Sequence, residues 1–129
     1  MYCPVCDKPM VVLELDDIEV DYCTICAGIW LDAGELELLL NGKQEREEFI
    51  VSFVKDAHSA EKRRKCPHCG KRMEKVIYGS ARTVHLDRCR IGDGLWLDNG
   101  ELKEVFKIGG FDKDNKVYNL LIDMFGVKK

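Results

Sequence analysis

Hydrophobic and polar positions follow one scheme twice along this chain. Residues 10–15 are strand-like, Asp16 and Asp17 have turn chemistry, and Ile18, Glu19, Val20, Asp21 and Tyr22 alternate with a period of two. Residues 73–78 and 82–88 repeat the arrangement around a longer turn, Gly79-Ser80-Ala81. A hairpin is predicted at each place. Each hairpin leads into a Trp-Leu-Asp triplet, at Trp30-Leu31-Asp32 and Trp96-Leu97-Asp98, and then into a helix start. Asp32 has N-cap chemistry and Glu35 stands at the third helical position, the spacing of a capping box. Leu31 and Leu36 are placed to clamp that helix end as a hydrophobic staple. Asp98, Glu101, Leu97 and Leu102 repeat all four roles. The acidic residues of this segment therefore need no catalytic explanation.

Farther on, the apolar spacing becomes helical. Phe49, Ile50, Phe53, Val54 and Ala57 form a one-sided stripe between Gln44 and Arg63, and Val117, Leu120, Leu121, Met124 and Phe125 form another near the C-terminus. Asn41-Gly42 and Gly109-Gly110 separate these stretches from the preceding helices. Two further amphipathic helices are predicted. Their apolar faces serve either as core, which a small hairpin unit otherwise lacks, or as a homodimer interface.

The cysteines give the repeat its chemistry. Cys3-Pro4-Val5-Cys6 recurs as Cys66-Pro67-His68-Cys69, with an offset of 63 residues there and 66 at the tryptophans, so the extra residues fall between, in the hairpin turn. In the first copy, Cys3, Cys6, Cys23 and Cys26 fit two C-x2-C knuckles at the separation of a four-thiolate zinc site. Such a site takes Zn2+ as a closed tetrahedron, and the binding free energy is folding free energy. An all-sulfur tetrahedron also suits iron. In the second copy Gly92 stands where Cys26 stood, leaving Cys66, Cys69 and Cys89. Asp93, His85, His68, a water molecule and the absence of metal remain open there, with Asp93 the foremost substitute because carboxylate oxygen is a known zinc ligand.

Composition narrows the classes. The chain has 129 residues, 33% of them charged and 46% hydrophobic, which is globular composition. No apolar run approaches the roughly 20 residues of a membrane span, and the first residues lack the pattern of a signal peptide. A soluble, cytoplasmic protein is expected, with no membrane partner. Seven cysteines, an odd number, argue against a closed disulfide framework. Charge is uneven. Residues 1–60 carry 4 Lys or Arg against 13 Asp or Glu, while residues 61–129 carry 16 against 10. Lys62, Arg63, Arg64, Lys65, Lys71, Arg72 and Lys75 cluster around the second copy's first knuckle, and Arg63, Arg64, Lys65, Lys71 and Arg72 are the candidate nucleic-acid contacts.

The combined motif, CPxC, a hairpin, then CxxCxGxWLDxGEL, resembles the transcription factor IIB-type zinc-finger family. Copy one matches throughout, from Cys3-Pro4-Val5-Cys6 to Cys23-Thr24-Ile25-Cys26-Ala27-Gly28-Ile29-Trp30-Leu31-Asp32-Ala33-Gly34-Glu35-Leu36. Copy two matches at Cys66, Pro67, Cys69, Cys89, Gly94, Trp96, Leu97, Asp98, Gly100, Glu101 and Leu102, and departs at Gly92. The resemblance implies a non-catalytic, zinc-ribbon-like module with a link to transcription. The expected fold is therefore small α+β: two tandem zinc-ribbon-like β-hairpin modules, each followed by helices. The expected division is a first module over 1–42, a connecting helix over 43–65, a degenerate second module over 66–110 and a C-terminal helix over 111–129. The expected function is an adaptor or regulatory module for a macromolecular partner, most simply a protein. Nucleic-acid binding through the basic cluster is the alternative, and a zinc hydrolase at an open three-cysteine site is a minor one.

Overall fold

The structure is a computed structural model and describes residues 1–15, 18–39, 44, 47–48, 53–55, 63–78, 84–98 and 101. In chain order it contains β1 (Val11–Leu15), β2 (Ile18–Tyr22), β3 (Ile29–Asp32), α1 (Ala33–Leu39), β4 (Val54–Lys55), β5 (Glu74–Tyr78), β6 (Val84–Arg88) and β7 (Gly94–Leu97). The two predicted hairpins are present as β1–β2 and β5–β6, both antiparallel. Their outer residues make different contributions. On β2, Ile18 and Val20 are buried while Glu19 is exposed, as the alternation requires, but Asp21 is buried as well.

The strands do not form two separate modules. They make one antiparallel sheet in the order β1-β2-β3-β7-β6-β5-β4, joined in the middle by the two tryptophan strands. There Ile29 pairs with Leu97, Trp30 with Trp96 and Leu31 with Leu95. This register is symmetric about the tryptophan pair, so the copies face each other across a local pseudo-two-fold axis. The contact is self-complementary in the way of a symmetric dimer, but within one chain. The Ala33 amide extends it by donating to the Asp93 carbonyl at 2.9 Å.

The expectation of hairpin modules each followed by helices is corrected by this sheet. Among the described residues the one continuous helix is α1, seven residues long. Within the segment expected to form a connecting helix, Gln44, Glu47 and Glu48 are helical, whereas Val54–Lys55 is a strand, pairing with Ile77 and Val76 on the edge of β5. The physical reason is that a three-stranded unit leaves the tryptophan strand's outer edge unpaired, and pairing the two copies satisfies both edges at once. The predicted C-terminal helix over 111–129 lies outside the described residues, as does its share of the homodimer face expected of the two amphipathic helices. No helix among the described residues is long and apolar enough to cross a membrane.

Packing at the axis explains two glycines. Gly28 and Gly94 occupy the same place in the two copies, each two residues before its tryptophan. A methyl group on Gly28 would overlap the indole of Trp96, and one on Gly94 would overlap the Leu31 carbonyl and the indole of Trp30. Each ring thus lies against the bare backbone of the other copy. Trp30 and Trp96 are both fully buried. They share a core cluster with Cys3, Cys23, Cys66, Cys89, Met10 and Met73, so the centre of the molecule is rich in sulfur. Leu31 and Leu36 are also buried, as the staple at the start of α1 requires.

Candidate metal centres

Each centre is assembled from two tight turns at the ends of the strands. In the first, the Cys3 carbonyl accepts from the Asp7 amide at 2.9 Å and the Cys23 carbonyl accepts from the Ala27 amide at 2.9 Å. Asp7 and Ala27 adopt positive φ values of 56° and 62°, the left-handed step that closes each turn. The turns direct backbone amides at sulfur: Val5 and Cys6 donate to Cys3 Sγ, both at 3.3 Å, and Cys26 donates to Cys23 Sγ at 3.5 Å. As a result the four sulfurs of Cys3, Cys6, Cys23 and Cys26 all lie within 4.8 Å of one another.

The second centre gathers Cys66, Cys69, Cys89 and Asp93 within the same limit. Its first turn copies its counterpart, with the Gly70 amide donating to the Cys66 carbonyl at 2.8 Å and Gly70 at φ 77°. Its second turn is different. The Gly92 amide donates to the Cys89 carbonyl at 3.2 Å, and Gly92 carries the positive φ, 88°. The turn therefore closes one residue earlier than at Ala27. Gly92 makes the left-handed step without the penalty a side chain would bring, and the following residue, Asp93, turns its carboxylate toward the sulfurs. Asp93 Oδ2 lies 3.5 Å from Cys89 Sγ and 4.0 Å from Cys66 Sγ. Of the substitutes open from sequence, His68 and His85 are exposed, and neither joins the cluster. His85 pairs with Ile77 across the β5–β6 ladder, away from the cysteine end.

The spacing suits a tetrahedral ion. With zinc–sulfur bonds of about 2.3 Å, a tetrahedron has a sulfur–sulfur edge of about 3.8 Å, and an oxygen ligand at about 2.0 Å gives a sulfur–oxygen edge of about 3.5 Å. The Cys3–Cys26 and Cys69–Cys89 sulfur separations are both 3.7 Å. Electrostatics point the same way. Burial raises the thiol pKa of Cys3, Cys26 and Cys89, and raises that of Cys66 to about 12. Cys23 goes the other way. Burial raises it too, but the amides of Cys26 and Ile25 outweigh that and bring it down to about 7. Two thiols in each cluster thus resist ionisation, and a compensating cation is needed before they can act as thiolates. The two donor sets fit Zn2+.

The candidate nucleic-acid residues do not all offer their charge to solvent. Arg64 turns inward, with Nη1 at 2.6 Å from Asp98 Oδ1 and 3.4 Å from Asp87 Oδ2. Arg63, Lys65, Lys71 and Arg72 remain exposed. Lys75, which the sequence places with the exposed cations, is 5% exposed and forms an ion pair with Asp87 at 2.7 Å. These two are direct partners in the β5–β6 register, so the pair is visible only once that register is known. The acidic residues after the tryptophans take up structural work. Asp32 Oδ1 accepts from the Trp30 indole at 2.7 Å, and Asp98 Oδ1 accepts from Trp96 at 3.0 Å. Glu101 Oε1 accepts from the Asp98 amide at 2.7 Å, completing the reciprocal half of a capping box.

Sulfur knuckles on antiparallel hairpins, paired in the first copy and completed by Cys89 and Asp93 in the second, define a zinc-ribbon, zinc-binding protein. Residues 2–42 and 65–107 match the family described as transcription factor zinc-finger, and together they span more than half of the chain. The chain belongs to that family, as two tandem copies. No curated protein and no solved structure matches it.

Proposed function

We propose that this protein is a non-catalytic adaptor in which two metal-held copies present one rigid surface to a macromolecular partner, with a protein the foremost class. The observation that carries this reading is that each cluster has four protein donors: Cys3, Cys6, Cys23 and Cys26 in one, and Cys66, Cys69, Cys89 and Asp93 in the other. A zinc ion with four protein ligands has no open position for a substrate or an activated water, so its work is structural. Cys3, Cys23, Cys66 and Cys89 are each no more than 2% exposed, which supports the same role. The family's description associates such modules with transcription factors, which supports a role in that machinery by resemblance.

The test is elemental analysis of the purified chain under reducing conditions, followed by exhaustive chelation with circular dichroism as readout. Two zinc ions per chain and loss of strand structure on chelation are expected. A chain that keeps its fold after complete removal of metal would refute the structural role. Hydrolysis that depends on the second centre would instead establish an enzyme.

A further inference from the structure

The segments leading into the two Cys-Pro knuckles line a common groove of about 800 Å3. Corresponding residues of the two copies line it: Met1, Tyr2, Cys3 and Pro4 from the first, Arg64, Lys65, Cys66 and Pro67 from the second. The pseudo-symmetry of the backbone is broken by the side chains. On one side, Arg63, Lys65 and Arg72 are exposed cations, and none forms an ion pair among the described residues. Arg72 donates to the Arg63 carbonyl at 3.2 Å, which holds that wall together. On the other side, Met1, Tyr2 and Val5 are 47%, 61% and 44% exposed. Asp7 is the one acidic residue among the groove's described lining.

We infer that this groove binds an extended acidic peptide segment of a protein partner, one in which Asp or Glu alternates with apolar residues. An extended chain points successive side chains to opposite sides. Alternation therefore sends acids to the Arg63–Lys65–Arg72 wall and apolar residues to Tyr2 and Val5 at the same time. The size agrees, since binding clefts run from about 300 to 1,000 Å3. Nucleic acid fits less well. Tyr2 is the one aromatic ring in the described lining, where a single strand needs successive stacking platforms. The chain as a whole carries a net charge of −3, without the broad basic field that tracks a phosphate backbone. The inference rests on the adaptor reading and names the partner's chemistry.

The experiment uses the full zinc-loaded chain and fluorescence anisotropy with a short labelled peptide of alternating Glu and Leu. Saturable binding that weakens with added salt is expected. The double substitution Arg63→Glu with Lys65→Glu should weaken it at least about tenfold, since charge reversal sets like charges against the ligand. Tyr2→Ala should weaken it several-fold, and Lys55→Glu, on the exposed β4 strand, should leave it unchanged. Zinc content and circular dichroism are recorded for every variant, so a misfolded chain is recognised as such and replaced by the milder Arg63→Gln with Lys65→Gln. The inference is overturned if an alternating Ser and Leu peptide binds equally well, if the charge-reversed chain binds as tightly as the parent, or if oligothymidylate binds more tightly than the peptide. Failure with both zinc ions in place sinks the groove alone; failure to hold zinc sinks the adaptor reading.

Discussion

The tightest constraint in the molecule is the space between Gly28 and Trp96, and replacing Gly28 with alanine tests it. The added methyl would run into the six-membered edge of the Trp96 indole. The ring has little freedom to yield. It is fully buried, and its N–H is bonded to Asp98 Oδ1 at 3.0 Å. Forcing an extra methyl into a packed core costs about 1–3 kcal/mol. If the ring swings aside instead, it gives up a hydrogen bond to a charged acceptor, worth about 1.5–3 kcal/mol. Either route places the cost at about 2–3 kcal/mol, before a gain of a few tenths to 1 kcal/mol because alanine restricts the unfolded chain. Small domains are stable by about 5–15 kcal/mol, so the variant keeps only part of its margin. The assay is guanidinium unfolding at fixed free zinc, since bound metal contributes to the measured stability. The cause is isolated by a second background. In Trp96→Leu the obstructing ring is gone, and Gly28→Ala should then cost less than about 1 kcal/mol, a coupling well above the few tenths seen between unconnected sites. A Gly28→Ala cost below about 0.5 kcal/mol, or an equal cost in both backgrounds, would refute the interlocked arrangement.

Three other outcomes follow from the same geometry. Asp93→Ala removes the sole oxygen donor of the second cluster, and that centre should lose zinc affinity by at least about tenfold, a scale that lesser changes around zinc sites already reach; titration with a competing chelator would show one ion released early and one late, and an unchanged release profile would show that Asp93 is not a ligand. Lys75→Met leaves Asp87 buried at 1% exposure beside a more distant Arg64, and should cost about 3–5 kcal/mol, whereas adding Asp87→Leu should recover most of it because the buried charge is gone; thermal unfolding of the single and double variants decides it, and no recovery would show that the ion pair is not what the substitution disturbs. Burial, opposed by the Asp98 amide and reinforced by the charges of Asp98 and Asp87, raises the carboxyl of Glu101 from 4.5 to about 8. Between those values the folded state holds more protons than the unfolded one, so stability falls as pH rises through that window. Glu101→Gln should flatten this slope in its upper part, where the cysteines still hold metal; an unaltered slope in unfolding curves at successive pH values would assign the effect elsewhere.

Both metal clusters show how far local information reaches. The four cysteines of the first copy, the two hairpins, the helix start after Asp32 and the capping box of Asp98 and Glu101 are all legible because each depends on residues close in sequence. Knuckle spacing, period-two alternation and an Asp followed three residues later by Glu are short-range signals, and the chain meets them locally. The fourth donor of the second cluster was only narrowed. Choosing Asp93 over His85 depends on Gly92 taking the left-handed step and closing its turn one residue early, a backbone choice that Gly permits but does not announce.

What sequence alone determined, then, is the repeat, its sulfur ligands and its short elements. Tertiary structure decided how the copies meet. Pairing Trp30 with Trp96 joins strands 66 residues apart, and no local pattern distinguishes a strand that ends a small sheet from one that continues it into another copy. The same pairing turned two expected modules into one sheet and fixed Gly28 and Gly94 as glycines. Folding of the second hairpin likewise drew Lys75 and Arg64 out of an apparently uniform basic cluster, because the buried carboxylates of Asp87 and the partly buried Asp98 need cations nearby. The cations left outside, Arg63, Lys65 and Arg72, became one wall of a groove whose other wall lies about 60 residues earlier in the chain. Contacts of that range are settled by burial and edge pairing over the whole molecule, and those energies exist only once the chain has closed on itself.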